Sequence, residues 1–486
     1  MSLRELYRPS LGLLTDLYQL TMAHAHFVRG THGTRAVFHL FFRKNPFQGG
    51  FTIAAGLAQA IELLEDLRYD DDDLAYLATL RGNDGSALFG PAFLHHLSKL
   101  RFSGDIDAMP EGTACFPHEP LLRVTAPMLE GQLIETPLLT LLNFQSLVAT
   151  KAARVCLAAK GDAVVELGLR RAQGPDGGMS ASRAAYLGGV TATSNVLAGR
   201  MFGIPVRGTH AHAWVMAFDT ELEAFRAYAE AMPNNCVFLV DTYNTLEGVR
   251  HAIQVTKETG VKLAGIRLDS GDLAYLSIVA RQMLDEAGFR TASIVASNDL
   301  DETTIESLKA QGAKIDVWGV GTRLVTGHDQ PALGGVYKLS AMAGPAGKWI
   351  PRVKLSEQAI KVSTPGIQQV RRFRRGTTLL GDSIWDEDLG IQMPARIVDP
   401  LDPLRERAMD DADTFEDLLV PIFRGGKRVY TPPTLAESRE RTRTQVAALH
   451  PGVTRFLNPH QHPVGLDPRV MAAKVALVRA ARGLPK

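Results

Sequence analysis

The chain has 486 residues, too many for one ordinary hydrophobic core, so two or three domains are expected. Its 45% hydrophobic and 22% charged content is that of a soluble globular protein. A formal net charge of +1 gives no electrostatic footing for nucleic acid or an anionic membrane as partner. Three cysteines (Cys115, Cys156 and Cys236) are odd in number and lack metal-ligand spacing, which excludes a full disulfide framework and points to a reducing compartment. No apolar run reaches the roughly 18 residues of a membrane span, and MSLRELYRPS lacks the apolar core of a secretory leader. The expectation is a cytoplasmic, soluble enzyme.

In chain order, LTDLYQLTMAHAHFV places apolar residues at helical spacing behind Thr15 or Asp16 as N-cap. AVFHLFFR alternates like a strand, and GLAQAIELLEDL reads as a helix. The acidic run at 70–73 is read as the solvated start of the helix DLAYLATL rather than as a metal site, because carboxylates suit a helix N-terminus. From Val164 the rhythm changes. The strand-like runs AVVEL, IPVRGT, CVFLVDT, KLAGIRLD, TASIVAS and KIDVWGVG recur, with amphipathic helices between them. Three of those helices run into Gly260, Gly288 and Gly312, as C-capped helices do. Such alternation predicts a parallel sheet. No dinucleotide-binding glycine fingerprint opens the series, so a barrel or partial barrel is favoured over a doubly wound sheet. From Gly344 the regularity is lost: short strands with a turn at Pro365-Gly366, extended segments beyond Pro394, then the helices TLAESRERTRTQVAAL and DPRVMAAKVALVRAARG. The expected domains are a mixed α/β N-terminal domain (1–135), a central barrel with the active site (136–345) and a C-terminal region (346–486).

The C-terminal ends of barrel strands are where such folds build their sites. Here they carry Glu166 with Arg170 and Arg171, the stretch 209–212, Asp241, the stretch 267–272, Ser297 with Asn298, and the stretch 319–322. Arginines, carboxylates, hydroxyls and a Gly-rich turn together suit a ligand with phosphates, a ribose and one more anionic group. In RLDSGDL, Arg267 and Asp269 share a strand face, Ser270-Gly271 turns, and Asp272 opens a helix. The bland alternative is a helix cap with an arginine paired to it. The glycines of GVGT (Gly319, Gly321) let backbone N–H groups approach a phosphate, and Thr322 adds a hydroxyl; an ordinary strand-to-loop turn is the rival reading. In GTHAHAW, His210 and His212 stand two apart with no nearby carboxylate, HExxH or Cys/His set. A metal pair, a structural pair and a catalytic imidazole all stay open on spacing alone.

Ten stretches, in order from Leu13 to Arg372, together resemble the nicotinate phosphoribosyltransferase family. They include LLTDLYQLTM, FHLFFRKNPF, RRAQG, GTHAHAW, VDTYNTLEG, GIRLDSGDL, SNDLDE, GVGT and PRVKLS. The resemblance implies an N-terminal mixed domain, an irregular central α/β barrel and a C-terminal region returning to the first domain, in a homodimer. It implies transfer of phosphoribosyl from 5-phosphoribosyl 1-diphosphate to nicotinate, with Mg2+, and with ATP hydrolysis coupled through a phosphohistidine. Matched position by position, His212 would be the phosphoacceptor and His210 its neighbour. Tyr18, Thr209, Arg267 and Arg171 (or Arg170) would hold nicotinate. Asp269, Ser270, Gly271, Gly319, Gly321 and Thr322 would hold the phosphoribosyl diphosphate, with Asp269 also catalytic; no residue is assigned as a certain metal ligand. The rival readings are a nicotinamide or quinolinate transferase, a sugar-phosphate isomerase or lyase, and a non-catalytic binding protein on a similar barrel. The absence of an acid at position 210 favours nicotinate over nicotinamide.

Overall fold

A computed structural model of the chain describes residues 11–485, so the stretch read above for a secretory leader lies outside them. Among the described residues, no helix is long and apolar enough to cross a membrane. The chain divides into two compact units. One takes the described residues up to Leu147 and from Ala332 onward; the other is Val148–Pro331.

The first unit is built by both ends of the chain. The strand Arg35–Phe41 lies between Leu122–Pro127 and Val336–Ala343, antiparallel to each, in a seven-stranded sheet that also holds Asp105–Ala108 and Val420–Arg424. Its core draws on both ends: Phe38, Leu40 and Ile106 share one apolar cluster with Val370, Ile384, Phe423 and Leu466. The C-terminal region therefore does pack back on the N-terminal one. The hairpin Gln368–Arg375 and Thr378–Asp386 anchors a second, six-stranded sheet. Within it the fully buried Arg372 guanidinium is held by Asp382 at 2.6 Å and by Gln445 at 3.0 Å. The acidic run at 70–73 starts a helix: Asp70 and Asp73 form a reciprocal capping box at the head of Asp71–Thr79. Asp16 precedes the helix Leu17–Val28, yet its carboxylate accepts from Thr136 Oγ1 and caps nothing.

The second unit carries the βα rhythm. Its strands are β1 (Ala163–Glu166), β2 (Ala192–Thr193), β3 (Val237–Leu239), β4 (Gly265–Leu268), β5 (Ser293–Ala296) and β6 (Val317–Val320). Phe238, Ile266, Leu268, Ile294, Trp318 and Val320 are buried, as strands covered on both faces require. The helices between them keep an apolar stripe; Thr245–Thr259 buries Val249, Ala252 and Val255. Asn244, Asp272 and Asp301 each accept a backbone N–H at a helix start, and Gly260, Gly288 and Gly312 close three helices.

All pairings are parallel, in the order β2-β1-β6-β5-β4-β3. That order is a rotation of the chain order, with the last strand paired to the first, and it is the order of a barrel. A doubly wound sheet would reverse direction at a switch point. The ladder is interrupted at one seam, between β2 and β3. There IPVRGT, expected as a full strand, contributes a single parallel bridge from Val206 to Thr193. Pro205 lacks an N–H, although its carbonyl accepts from Thr193 N–H. Across the seam His210 Nε2 accepts the Leu239 N–H at 3.2 Å, and its ring packs among Phe225, Tyr228 and Phe238. A side chain thus makes the cross-seam bond that backbone makes elsewhere.

Burial pushes the His210 imidazole down to about 4, helped by the Arg267 charge nearby. His210→Ala should cost about 2–4 kcal/mol, from an emptied aromatic site and an unsatisfied Leu239 N–H. The folded protein holds this ring neutral while the unfolded chain protonates it from its usual 6.5. Its contribution is therefore complete above that pH and fades as the pH falls toward 4. Denaturant titrations of parent and variant should converge across that window; a constant gap would refute the assignment.

Candidate active site

Two neighbouring strands each run into an aspartate. Leu239 of β3 pairs with Arg267 of β4, so Asp241 and Asp269 stand side by side two residues further on. The Asp241 side chain is 1% exposed, and both its oxygens are used. Oδ2 accepts from the Asp269 backbone N–H at 3.0 Å and from Ser270 Oγ at 2.6 Å; Oδ1 lies 3.2 Å from His212 Nε2. Gly271, at φ 79°, turns the chain sharply after this contact, and Asp272 then caps the helix Leu273–Glu286 by accepting Tyr275 N–H. Asp272 is thus the structural cap of the bland reading, whereas Asp269 is free of that duty.

Arg267 is held in a fixed plane by three neighbours. Its Nε donates to Ser297 Oγ at 2.8 Å, Nη1 to Thr209 Oγ1 at 3.0 Å, and Nη2 to Asp269 Oδ1 at 2.8 Å. A guanidinium has five N–H donors, so one on each Nη is left unclaimed, the pair suited to a carboxylate fork. Burial works against ionisation of Asp269, but the Ser297 hydroxyl and the Arg267 charge outweigh it and hold this carboxyl below its usual range.

The two histidines do not share a strand face. Residues 209–211 are irregular, His212 opens the short helix His212–Met216, and the two rings diverge. His210 is buried in the wall, whereas the His212 side chain is 38% exposed and bonded to Asp241. The sequence reading found no carboxylate near them because Asp241 lies 29 residues away in the chain. Position 210 faces the aromatic interior, so its lack of an acid is a statement about packing. Among the described residues, no group of three or more His, Cys, Asp or Glu side chains is placed to hold a metal ion.

The other expected residues are placed less centrally. Arg170 and Arg171 lie exposed on the turn Leu169–Arg171 after β1. Glu166 is fully buried and takes N–H of Gly168 and the hydroxyls of Ser182 (2.9 Å) and Thr193 (2.6 Å), so it braces the ends of β1 and β2. Gly319 lies within β6, where a Cβ would come within 2.6 Å of Leu167 Cδ1; Gly321 and Thr322 follow the strand at the head of Thr322–Val325. Tyr18 belongs to the other unit, half-exposed on Leu17–Val28. One hydrogen-bonded set thus contains Thr209, His212, Arg267, Asp269 and Ser270 of the expected residues. It adds Asp241 and Ser297, which the sequence reading placed at strand ends without a role. The signal for Asp241 was available as the matching terminal Asp of VDT and RLD.

Residues 13–143 match the nicotinate phosphoribosyltransferase (NAPRTase) N-terminal domain, 163–354 the NAPRTase family and 368–474 the NAPRTase C-terminal domain. The chain is 44% identical over 465 residues to a nicotinate phosphoribosyltransferase of Bacillus subtilis, covering 94% of this chain and 93% of that one. It is 36% identical to the human nicotinate phosphoribosyltransferase, covering 95% of each. The crystal structure of human nicotinic acid phosphoribosyltransferase superposes with a TM-score of 0.81 at 33% identity, covering 95% of this chain and 99% of that one. A nicotinate-nucleotide pyrophosphorylase from Pyrococcus furiosus has the same fold, with a TM-score of 0.69 at 23% identity over 90% of this chain and 95% of that one. With every part of its architecture matched in order, the chain belongs to the nicotinate phosphoribosyltransferase family.

Proposed function

We propose that the barrel mouth joins nicotinate to 5-phosphoribosyl 1-diphosphate, giving nicotinate mononucleotide and diphosphate, and that ATP drives the reaction through phosphorylation of His212. The observation that carries this reading is the Asp241 carboxylate, which places a histidine and the Arg267–Asp269 pair in one hydrogen-bonded set.

The unclaimed N–H groups of Arg267 receive the nicotinate carboxylate, beside the Thr209 hydroxyl. Asp269 has both its hydrogen bonds on Oδ1, which leaves Oδ2 for the ribose hydroxyls. As the C1–diphosphate bond lengthens, positive charge grows on the ribose, and an ionised Asp269 stabilises it. The ring nitrogen of nicotinate supplies the nucleophile, so no side chain attacks the sugar. Mg2+ commonly binds through one or two carboxylates and substrate phosphates, and Asp269 Oδ2 offers such an oxygen. When bound, the ion neutralises charge on the diphosphate leaving group. Gly319, Gly321 and Thr322 are assigned to phosphate, and Arg171 and Tyr18 to the pyridine substrate, by resemblance to the family.

For His212 the contact with Asp241 supports a nucleophilic role. Nε2–H donates to the carboxylate, which leaves the Nδ1 lone pair as nucleophile toward the γ-phosphate of ATP. Asp241 then stabilises the imidazolium that forms. A cytoplasmic homodimer completes the reading. An odd number of cysteines supports the compartment, and exposed Leu14, Leu17, Tyr18 and Val28 around one helix support a covered surface.

Arg267→Ala should weaken nicotinate binding by about 2–4 kcal/mol, read by calorimetry on a folded sample; unchanged affinity removes the carboxylate contact. Asp269→Asn keeps the shape and loses the charge, so turnover should fall by more than nicotinate affinity does. Equal kinetics for variant and parent would sink that role. Incubation with labelled ATP should give an acid-labile, base-stable phosphoprotein, modified on Nδ1. His212→Ala should abolish both the label and ATP hydrolysis while leaving slow ATP-independent transfer, whereas His210→Ala should retain label in its folded fraction. Label that survives in the His212 variant and vanishes in the His210 variant would reverse the assignment.

A further inference from the structure

We infer that Ser297 is a positioning residue that keeps Arg267 and Asp269 from closing on each other. This rests on the proposed roles of those two residues and extends them. Ser297 follows β5, is 3% exposed, and precedes Asn298, whose φ of 110° is a left-handed backbone conformation rare outside glycine. A hydroxyl can donate and accept at once. Ser297 Oγ does both: it accepts the Arg267 Nε–H at 2.8 Å and donates to Asp269 Oδ1.

An arginine and a carboxylate two residues apart on one strand face tend toward the bidentate pairing in which Nε and one Nη meet both oxygens. Here Nε is already taken by Ser297. Asp269 is left with Nη2 alone, through the same oxygen that Ser297 holds. Oδ2 thereby stays available. Without the hydroxyl, Nε loses its acceptor, and the second oxygen of the carboxylate already bound to Nη2 can replace it. The carboxylate would then satisfy itself with the oxygen it needs for the sugar, while the outer Nη N–H groups stay free in either arrangement. Ser297 touches neither the nicotinate nor the sugar in this account; it acts through two residues that do.

Ser297→Ala, with Ser297→Thr as the hydroxyl-retaining control, tests this in the full chain. The alanine variant should raise KM for phosphoribosyl diphosphate about tenfold, with KM for nicotinate and kcat within about twofold and the melting temperature near that of the parent. The threonine variant should restore the KM for phosphoribosyl diphosphate. A crystal structure of the alanine variant should show Arg267 Nε and Nη2 on the two oxygens of Asp269. Arg267→Ala and Asp269→Asn are measured alongside. If they impair substrate use while Ser297→Ala leaves the KM for phosphoribosyl diphosphate unchanged, the inference about Ser297 is wrong and the site reading stands. If all three behave like the parent, both fall. Loss of kcat and melting temperature without a KM change, or failure of threonine to rescue, would show a packing role only and overturn the proposal.

Discussion

Everything at the barrel mouth depends on one buried carboxylate. Asp241 is almost wholly removed from water, a costly place for a charge unless each oxygen is satisfied. It is satisfied by a backbone N–H and a hydroxyl from the neighbouring strand end and by an imidazole from the seam. With Asp241 itself, three separate stretches of chain meet here. Moving any one of them leaves charge or donor unpaired in a confined space, so the two halves of the proposed chemistry keep a common reference point.

The same logic extends outward from Arg267. Its plane is set by Thr209 on the seam, Ser297 on the next strand and Asp269 on its own. The groups that hold it come from both sides of β4, and a planar guanidinium with that many fixed partners has little rotamer freedom to lose on binding. A preorganised cation of this kind is worth more in a confined mouth than in water.

Much of this was legible in the residues. Apolar runs such as CVFLVDT, KLAGIRLD and TASIVAS gave short strands at their centres, because a strand covered on both faces needs little beyond β-branched and aromatic content. Helix limits were marked by Asn244, Asp272 and Asp301 at the starts. IPVRGT misled, since its apolar content resembles a strand while its pairing is limited to one bridge. Ala192–Thr193 was missed because two residues carry no periodicity. The histidine spacing left three readings open for a related reason: an alternation argument holds only where there is a strand. Asp241 went unassigned because its partners are distant in sequence, and only strand register brings Asp269 beside it. Arg171 and 319–322 depend on ligand geometry, which residue types alone do not carry.

The division of the chain has a consequence for biosynthesis. The barrel unit is continuous, and all its strand pairs close within Val148–Pro331. The other unit is not. Arg35–Phe41 waits for Val336–Ala343, and Asp105–Ala108 for Val420–Arg424, so its sheet has open, apolar edges while the ribosome makes the intervening residues. Domains emerging from the ribosome fold as units, and unpaired edges are where nascent chains associate wrongly. The inserted barrel is therefore the part able to finish first, and the N-terminal strands, though synthesised earliest, are among the last to acquire all their neighbours.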